Sequence, residues 1–494
     1  MLFNSYEFLI FFPVVVLIYY LLPKKMRYIW LLVTSYYYYM CWDAKYALLI
    51  ASSTVITYFS GILLERVQRK ELPSELLQAR KKWVVFGSFA INIGILFFFK
   101  YFEWVLDNIS LLSGHSLALP FSIVLPVGIS FYTFQALSYT MDVYRGEIKP
   151  EKNFLRYALF VSFFPQLVAG PIERSKNLLG QLDCDKPLNY ENARSGLQLM
   201  LWGFFEKIVI ADKVAIMVNT VFNNVTNYSG STILFAMILF AIQIYCDFGG
   251  YSHIAIGAAR VFNITLMDNF KQPYFSTSIK EFWRRWHISL STWFRDYLYI
   301  PMGGSRCSKT RKYFNLFITF LVSGLWHGAS WHFVIWGCLH GIYQILGEMT
   351  KKMRMKLPKL LHMKTDCFSF KLGQIIINFL LVDFAWMFFR ANNLGDAFLI
   401  CKKLLTGMNP SELISDTFYS LGLNAQEWYY VLTAIMILLL VDLLHEKQIS
   451  LSKIFAKQNL LFRWAVYYAA IVGIIISLIQ TFGVSAGNFI YFQF

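Results

Sequence analysis

The chain has 494 residues, of which 57% are hydrophobic, 18% aromatic and only 15% charged, and its mean hydropathy is +0.48. A charged share well below the roughly one quarter of soluble domains, with long apolar runs from end to end, excludes an ordinary soluble enzyme, a disordered chain and a fibrous repeat; a bilayer is the expected solvent. The 45 Lys and Arg against 29 Asp and Glu leave a net charge of +16. The basic clusters Lys24 to Arg27, Arg80 to Lys82 and Lys351 to Lys359 lie between apolar runs, as in cytoplasmic loops, so nucleic acid drops out as a partner.

From the N-terminus, the first apolar run, Phe8 to Leu22, has Glu7 but no Lys or Arg before it and no small-residue cleavage site after it. It reads as a membrane span and not as a cleaved signal peptide. Further spans are expected at Tyr28 to Trp42, Tyr46 to Leu64, Trp83 to Phe99, Leu117 to Tyr139, Phe154 to Ile172 and Gly196 to Val218. Thr232 to Phe262 is long enough for a broken or doubled element. Tyr313 to Leu346, Gly373 to Phe389, Trp428 to Leu444 and Trp464 to Phe482 complete about 11 to 13 passes. The expected fold is all-α: a polytopic membrane protein, one membrane domain over residues 1–494, with no internal repeat or soluble module.

Loops 24–27, 65–82 and 145–156 are basic while 43–45 and 100–116 are nearly neutral, which puts the N-terminus outside and the basic loops in the cytoplasm. Segment 268–312 carries nine Lys or Arg against three acids, and 348–371 is also basic, so both belong to the cytoplasmic side and Tyr313 to Leu346 must leave and return. As helix that passage would rise about 51 Å, less than two crossings of a core about 30 Å thick, so a tilted or re-entrant pair is expected. Its middle, Ser323-Gly324-Leu325-Trp326-His327-Gly328-Ala329, has glycines that permit close packing or a break and sets His327 deep, near a cavity. Asn269 to Arg311 mixes Trp283, Trp286, Trp293 and Phe294 with Lys280, Arg284, Arg285 and Arg295, an interfacial composition. Ala391 to Glu427, with Pro410 and Gly422, is the largest polar insertion of the second half and is expected outside.

An ionisable side chain at membrane depth is costly, and imidazole is the group best suited to passing protons near neutral pH, so His327 and His287 are the candidates for chemistry. A deep histidine can equally serve as an interhelical hydrogen-bonding partner, and His287 among Trp and Arg can anchor to headgroups. His327, His332 and His340 are not at the four-residue spacing of a zinc helix and no acid adjoins His327, while the seven scattered Cys form no Cys-x-x-Cys pair; no metal and no disulfide framework is expected. Asp247 lies inside an apolar run and must find a partner or a cavity. Ser289 and Ser291 lack a nucleophile elbow, and no phosphate-binding loop is present, so neither a serine nucleophile nor nucleotide hydrolysis is supported. Arg284 and Arg285 can clamp phosphates or meet lipid headgroups.

The runs Glu281-Phe282-Trp283-Arg284-Arg285-Trp286-His287-Ile288-Ser289-Leu290-Ser291, Trp293 to Pro301 and Ser323-Gly324-Leu325-Trp326-His327-Gly328 resemble the membrane-bound O-acyltransferase family. So do Leu125 to Tyr132, Pro165 to Arg174 and the closing Phe489 to Phe494, so that the resemblance covers essentially the whole chain. The pattern is most similar to the bacterial alginate O-acetyltransferase branch, with the teichoic-acid D-alanyl transfer protein as a related member. The resemblance implies helices around a central funnel or tunnel in a bacterial cytoplasmic membrane, through which a cytoplasmic acyl group reaches an outward-facing acceptor. His327 matches the family's catalytic histidine and His287 its second functional histidine. Acetyl-CoA is the implied donor substrate, with no tightly bound cofactor, and an exported acetyl-transfer partner protein and an extracytoplasmic polysaccharide are the implied partners. On that reading His327 is the general base, and Arg284, Arg285, Trp326 and Asp247 are candidates for binding donor or substrate. D-alanyl transfer from a carrier-protein thioester, a glycan or lipid translocator, and a scaffold whose histidines only hold helices together are the competing readings.

Overall fold

Apolar runs poor in breakers satisfy their backbone groups most cheaply as helices, the arrangement hydrocarbon demands. The computed structural model describes residues 1–117, 119–415, 419 and 421–481, and among them every regular element is helical, with no strand. The closing motif Phe489 to Phe494 and the end of the last expected span, Phe482, lie outside the described residues. Among the described residues six helices are long and apolar enough to cross a membrane: Ala44–Gln68, Ser74–Ser113, Gly230–Val261, Phe368–Arg390, Ala425–Glu446 and Leu460–Gln480, with Tyr6–Leu21 apolar but shorter. Apolar side chains exposed along these helices, such as Leu48, Trp83, Leu440 and Ile479, suit a lipid surround.

The chain divides into two compact units, residues 1–200 with 251–268, and residues 201–250 with 269–494. In the first unit α1 (Tyr6–Leu21), α2 (Lys24–Met40), α3 (Ala47–Gln68) and α4 (Ser74–Ser113) precede α5 (Ile129–Arg145) and α6 (Phe154–Ser162). Buried hydroxyls tie them together: Tyr157 donates to Thr57 Oγ1 at 2.7 Å and Ser53 to Asn92 Oδ1 at 2.6 Å. The span expected over Leu117 to Tyr139 starts late: among the described residues its helix begins only at Ile129. Pro120 and Pro126 disfavour helix in the residues before them, and Gly128 takes φ +73°, where a Cβ would stand 2.8 Å from the carbonyl oxygen of Leu167. The Leu125 to Tyr132 and Pro165 to Arg174 motifs therefore meet at Gly128. The expected span at Phe154 to Ile172 is likewise interrupted, α6 ending at Ser162 before a short turn of helix at Phe164–Leu167 that contains Pro165.

The helix α7 (Gly230–Val261) runs through both units. It was expected to be broken or doubled, yet it is one continuous helix of 32 residues. Its Gly249-Gly250 pair stays helical, and the missing Cβ of Gly250 lets the backbone of Gly203 and Lys207 approach to within 3.0 Å of where that Cβ would be. In the second unit α8 (Ile279–Arg285) and α9 (Ile288–Phe294) are short, while α10 (Lys309–His327) and α11 (Trp331–Met349) form the expected leave-and-return hairpin. α12 (Phe368–Arg390) packs against α11, and α13 (Ala425–Glu446) follows. The hairpin arms close on small residues: a Cβ at Gly324 would lie 2.4 Å from the carbonyl oxygen of Phe333, and one at Gly337 2.5 Å from that of Phe320. Gly324→Ala should therefore lower the thermal unfolding midpoint of the detergent-solubilised protein, by the about 1–3 kcal/mol that overpacking costs. Gly94→Ala, on α4 with nothing within 4 Å of its Cβ position, should leave the midpoint unchanged.

Candidate active site

His327 is the last residue of α10. The next residue, Gly328, is extended, and a Cβ there would lie 2.3 Å from the ring of Phe333, so the glycine lets the chain turn directly onto α11. The imidazole is 5% exposed and stands edge-to-face to three aromatic rings, Trp336 at 4.9 Å, Trp326 at 5.0 Å and Phe389 at 5.2 Å. Trp336 in turn stacks on Trp386 of α12 at 5.7 Å. Rings held on several sides lose their rotamer freedom, so the direction of the imidazole is fixed by packing from α11 and α12.

His287 joins α8 to α9 and takes φ +43°, a left-handed conformation that costs a non-glycine residue energy and persists only where its surroundings over-determine it. Asn269 supplies that surrounding. Its backbone carbonyl accepts from Ile288 N at 3.0 Å, and its side-chain Oδ1 lies 3.2 Å from His287 Nδ1, 3.2 Å from Ser289 N and 2.8 Å from Ser289 Oγ. The ring of Phe248 meets His287 edge-on at 4.5 Å, and Trp326 lies 6.0 Å away on another side. Trp326 thus contacts both candidate histidines and brings His287 and His327 into one aromatic cluster.

The aromatic segment around His287 is not a headgroup-level surface. His287 is fully buried, Trp286 is 1% exposed, and Trp283 and Trp293 are buried too. Trp286 packs against Phe270 at 4.9 Å and Trp386 at 5.0 Å, and Trp283 donates its indole N–H to His340 Nδ1 at 3.2 Å. Tryptophan serves interfaces and cores alike, and here the rings fill the second unit's interior. The two arginines differ. Arg285 pairs with Glu281 at 2.6 Å and Glu446 at 2.5 Å, whereas Arg284 is exposed. Asp247 takes part in a buried ion triad, where Lys207 lies 2.6 Å from Asp247 and 2.7 Å from Asp212. Lys207 belongs to a π-helical stretch, Phe205–Ala211, whose widened turn brings its ammonium to both carboxylates. His332 sits on α11 against Phe333 at 4.2 Å.

The model of the MBOAT, membrane-bound O-acyltransferase, family matches residues 148–391, a range that holds both histidines and all their ring contacts named above. The peptidoglycan O-acetyltransferase of Helicobacter pylori is 36% identical over 400 residues, covering 74% of this chain and 71% of that protein. The chain belongs to the membrane-bound O-acyltransferase family. This acyltransferase is also 37% identical over 356 residues to a probable alginate O-acetylase, AlgI, of Pseudomonas putida, covering 72% of this chain and 69% of that protein. To the teichoic acid D-alanyltransferase of Bacillus subtilis it is 28% identical over 250 residues, 48% of this chain and 62% of that protein.

Sequence reading of this family member singled out neither Asn269 nor Lys207. Lys207 was discoverable, because a cation inside an apolar run needs an anion and Asp247 was already in view. Asn269 was not, since one amide at the edge of a polar stretch carries no signal until the fold sets it beside His287. The triad holds the π-helical stretch to α7, and withdrawing its cation from two buried carboxylates should be costly. Lys207→Met is expected to destabilise this acyltransferase by about 3–5 kcal/mol, read as a lowered unfolding midpoint, whereas Arg284→Ala should leave the midpoint in place.

Proposed function

We propose that this acyltransferase moves an acetyl group from acetyl-CoA on the cytoplasmic side of a bacterial cytoplasmic membrane to an extracytoplasmic polysaccharide hydroxyl, directly or through an exported acetyl-transfer partner protein. The observation that carries the reading is the placement of His327 at the end of a helix interrupted inside a leave-and-return hairpin, its ring clamped by aromatics and linked through Trp326 to His287. Relatives named for O-acetyl transfer, at 36% and 37% identity over most of the chain, favour acetyl over the D-alanyl group of the relative at 28%.

In this reading the acceptor hydroxyl attacks the thioester carbonyl, and His327 takes the hydroxyl proton as the C–O bond forms. Collapse of the tetrahedral intermediate breaks the C–S bond, and the departing thiolate is protonated, so alcohol and acetyl-CoA give ester and free CoA. A positioned base contributes about 10² to 10⁴ fold to such a step. Exclusion of water by the aromatic cluster protects the thioester from hydrolysis. Trp326, touching both histidines, orients them, while exposed Arg284 steers the donor's phosphates and Arg285 serves chiefly the pairs to Glu281 and Glu446. Asp247 acts through its triad with Lys207 and Asp212, which holds the helix bearing Phe248, the ring against His287.

Inside-out vesicles carrying wild type or His327→Ala, supplied with labelled acetyl-CoA and the exported partner, test the base assignment. Label on partner or glycan should fall by about 10² to 10⁴ fold in a normally inserted variant. Equal label in both would remove His327 from catalysis. Label only from a D-alanyl carrier thioester would move the assignment to teichoic-acid modification.

A further inference from the structure

Asn269 does more than hold the turn at His287: it sets its side-chain oxygen against one ring nitrogen of that histidine. One donor at this corner has an identity beyond choice. The backbone amide of Ser289 can only donate, and it lies 3.2 Å from the Asn269 side-chain atom that also faces Ser289 Oγ at 2.8 Å. The atom that receives a backbone N–H must be the amide oxygen, because the amide nitrogen is itself a donor. Asn269 therefore turns Oδ1, and not its NH₂, toward this corner. The same oxygen lies 3.2 Å from His287 Nδ1, and an oxygen already serving as acceptor is complementary to that ring nitrogen only when the nitrogen bears hydrogen.

We propose that Asn269 is a positioning residue that fixes neutral His287 as its Nδ1–H tautomer, so that Nε2 presents a lone pair and His287 meets substrate as a hydrogen-bond acceptor. This rests on the acyl-transfer reading for its consequence, though not for its geometry. Among roles for the second histidine it selects one: a neutral His287 in this state accepts a hydrogen bond from an N–H or O–H of substrate and does not donate one to a developing oxyanion. Asn269 is suited to the task because it is 1% exposed, its backbone carbonyl caps Ile288 N, and its side chain caps Ser289 N. His287, left-handed in the capping position of α9, makes no side-chain cap of its own. The same oxygen thus satisfies the start of a helix and sets a tautomer, as partners behind a functional imidazole do in metal and catalytic sites.

The direct test is ¹⁵N solid-state NMR of the full chain, labelled in histidine and reconstituted in liposomes at neutral pH, with His287 assigned by the signals lost in His287→Gln. The expected spectrum shows a protonated Nδ1 and an unprotonated Nε2, and Asn269→Leu, which offers no acceptor, abolishes that preference. A protonated Nε2 in wild type, or an unchanged Nδ1–H signal in Asn269→Leu, overturns the proposal. If Asn269→Leu fails to fold, Asn269→Asp keeps the acceptor and adds a charge. A carboxylate beside the ring favours the imidazolium, so the acid limb of the kcat/KM profile for acetyl transfer should move to higher pH by about one unit. An unmoved limb would mean that the side-chain oxygen at 269 does not engage the ring, which also overturns the proposal. An Nδ1–H signal in a protein that transfers no acetyl group would support the tautomer and sink the acyl-transfer reading, keeping the two separable.

Discussion

Gly324 and Gly337 bring the two arms of the α10–α11 hairpin so close that a Cβ on either would strike backbone atoms, and the position of His327 follows from that contact. Once the arms touch, the turn between them must be short, so α10 ends at His327 and extended Gly328 leads onto the ring of Phe333. Trp336, one residue before Gly337, is thereby brought against His327, and α12 adds Phe389 and Trp386 behind it. Close helix approach through small residues is how packing is gained where lipid supplies no hydrophobic drive. Here that approach also aims an imidazole.

The second constraint is that polar groups away from water need partners inside the protein. Lys207 meets it with two carboxylates, and the widened turn at Phe205–Ala211 is the local distortion that lets one ammonium reach both. Asn269 meets it for the start of α9 and for His287 together. The two arrangements do different work. The triad ties helical segments of the second unit, whereas the amide holds a helix start and the ring of a candidate histidine. An ionisable residue in an apolar run is a fair pointer to a buried partner, and only geometry then separates Asp247, held by Lys207, from His287, held beside His327's neighbour Trp326.

Much of this was legible in the sequence because hydropathy and charge act locally. The all-helical class, the leave-and-return passage over Tyr313 to Leu346 and the family followed from apolar runs, basic loops and quoted motifs. Where prolines and a left-handed glycine outvoted hydropathy, as over residues 119–128, an apolar run was read as helix that the backbone does not form. The opposite error occurred in α7, where length suggested a broken or doubled element, yet the helix is intact and Gly250 serves close packing against residues 203–207. The Trp-rich segment around His287 misled for a third reason: tryptophan beside arginine has the same composition at a headgroup layer and in a core, and burial alone distinguishes them. The amide partner of His287, eighteen residues away in the chain, was set by tertiary structure and had no local signature.

If the two histidines gathered by Trp326 bound one reaction site, the donor's reactive carbon lies beside them. A cryo-EM structure of the full chain in nanodiscs with a non-transferable acetyl-CoA analogue checks this. The carbonyl carbon of the analogue is expected at the aromatic cluster, within reach of a hydroxyl held by His327, with the analogue's chain passing His287. An analogue seated elsewhere in the second unit, with His327 and His287 unchanged and remote from it, would rule out a shared site.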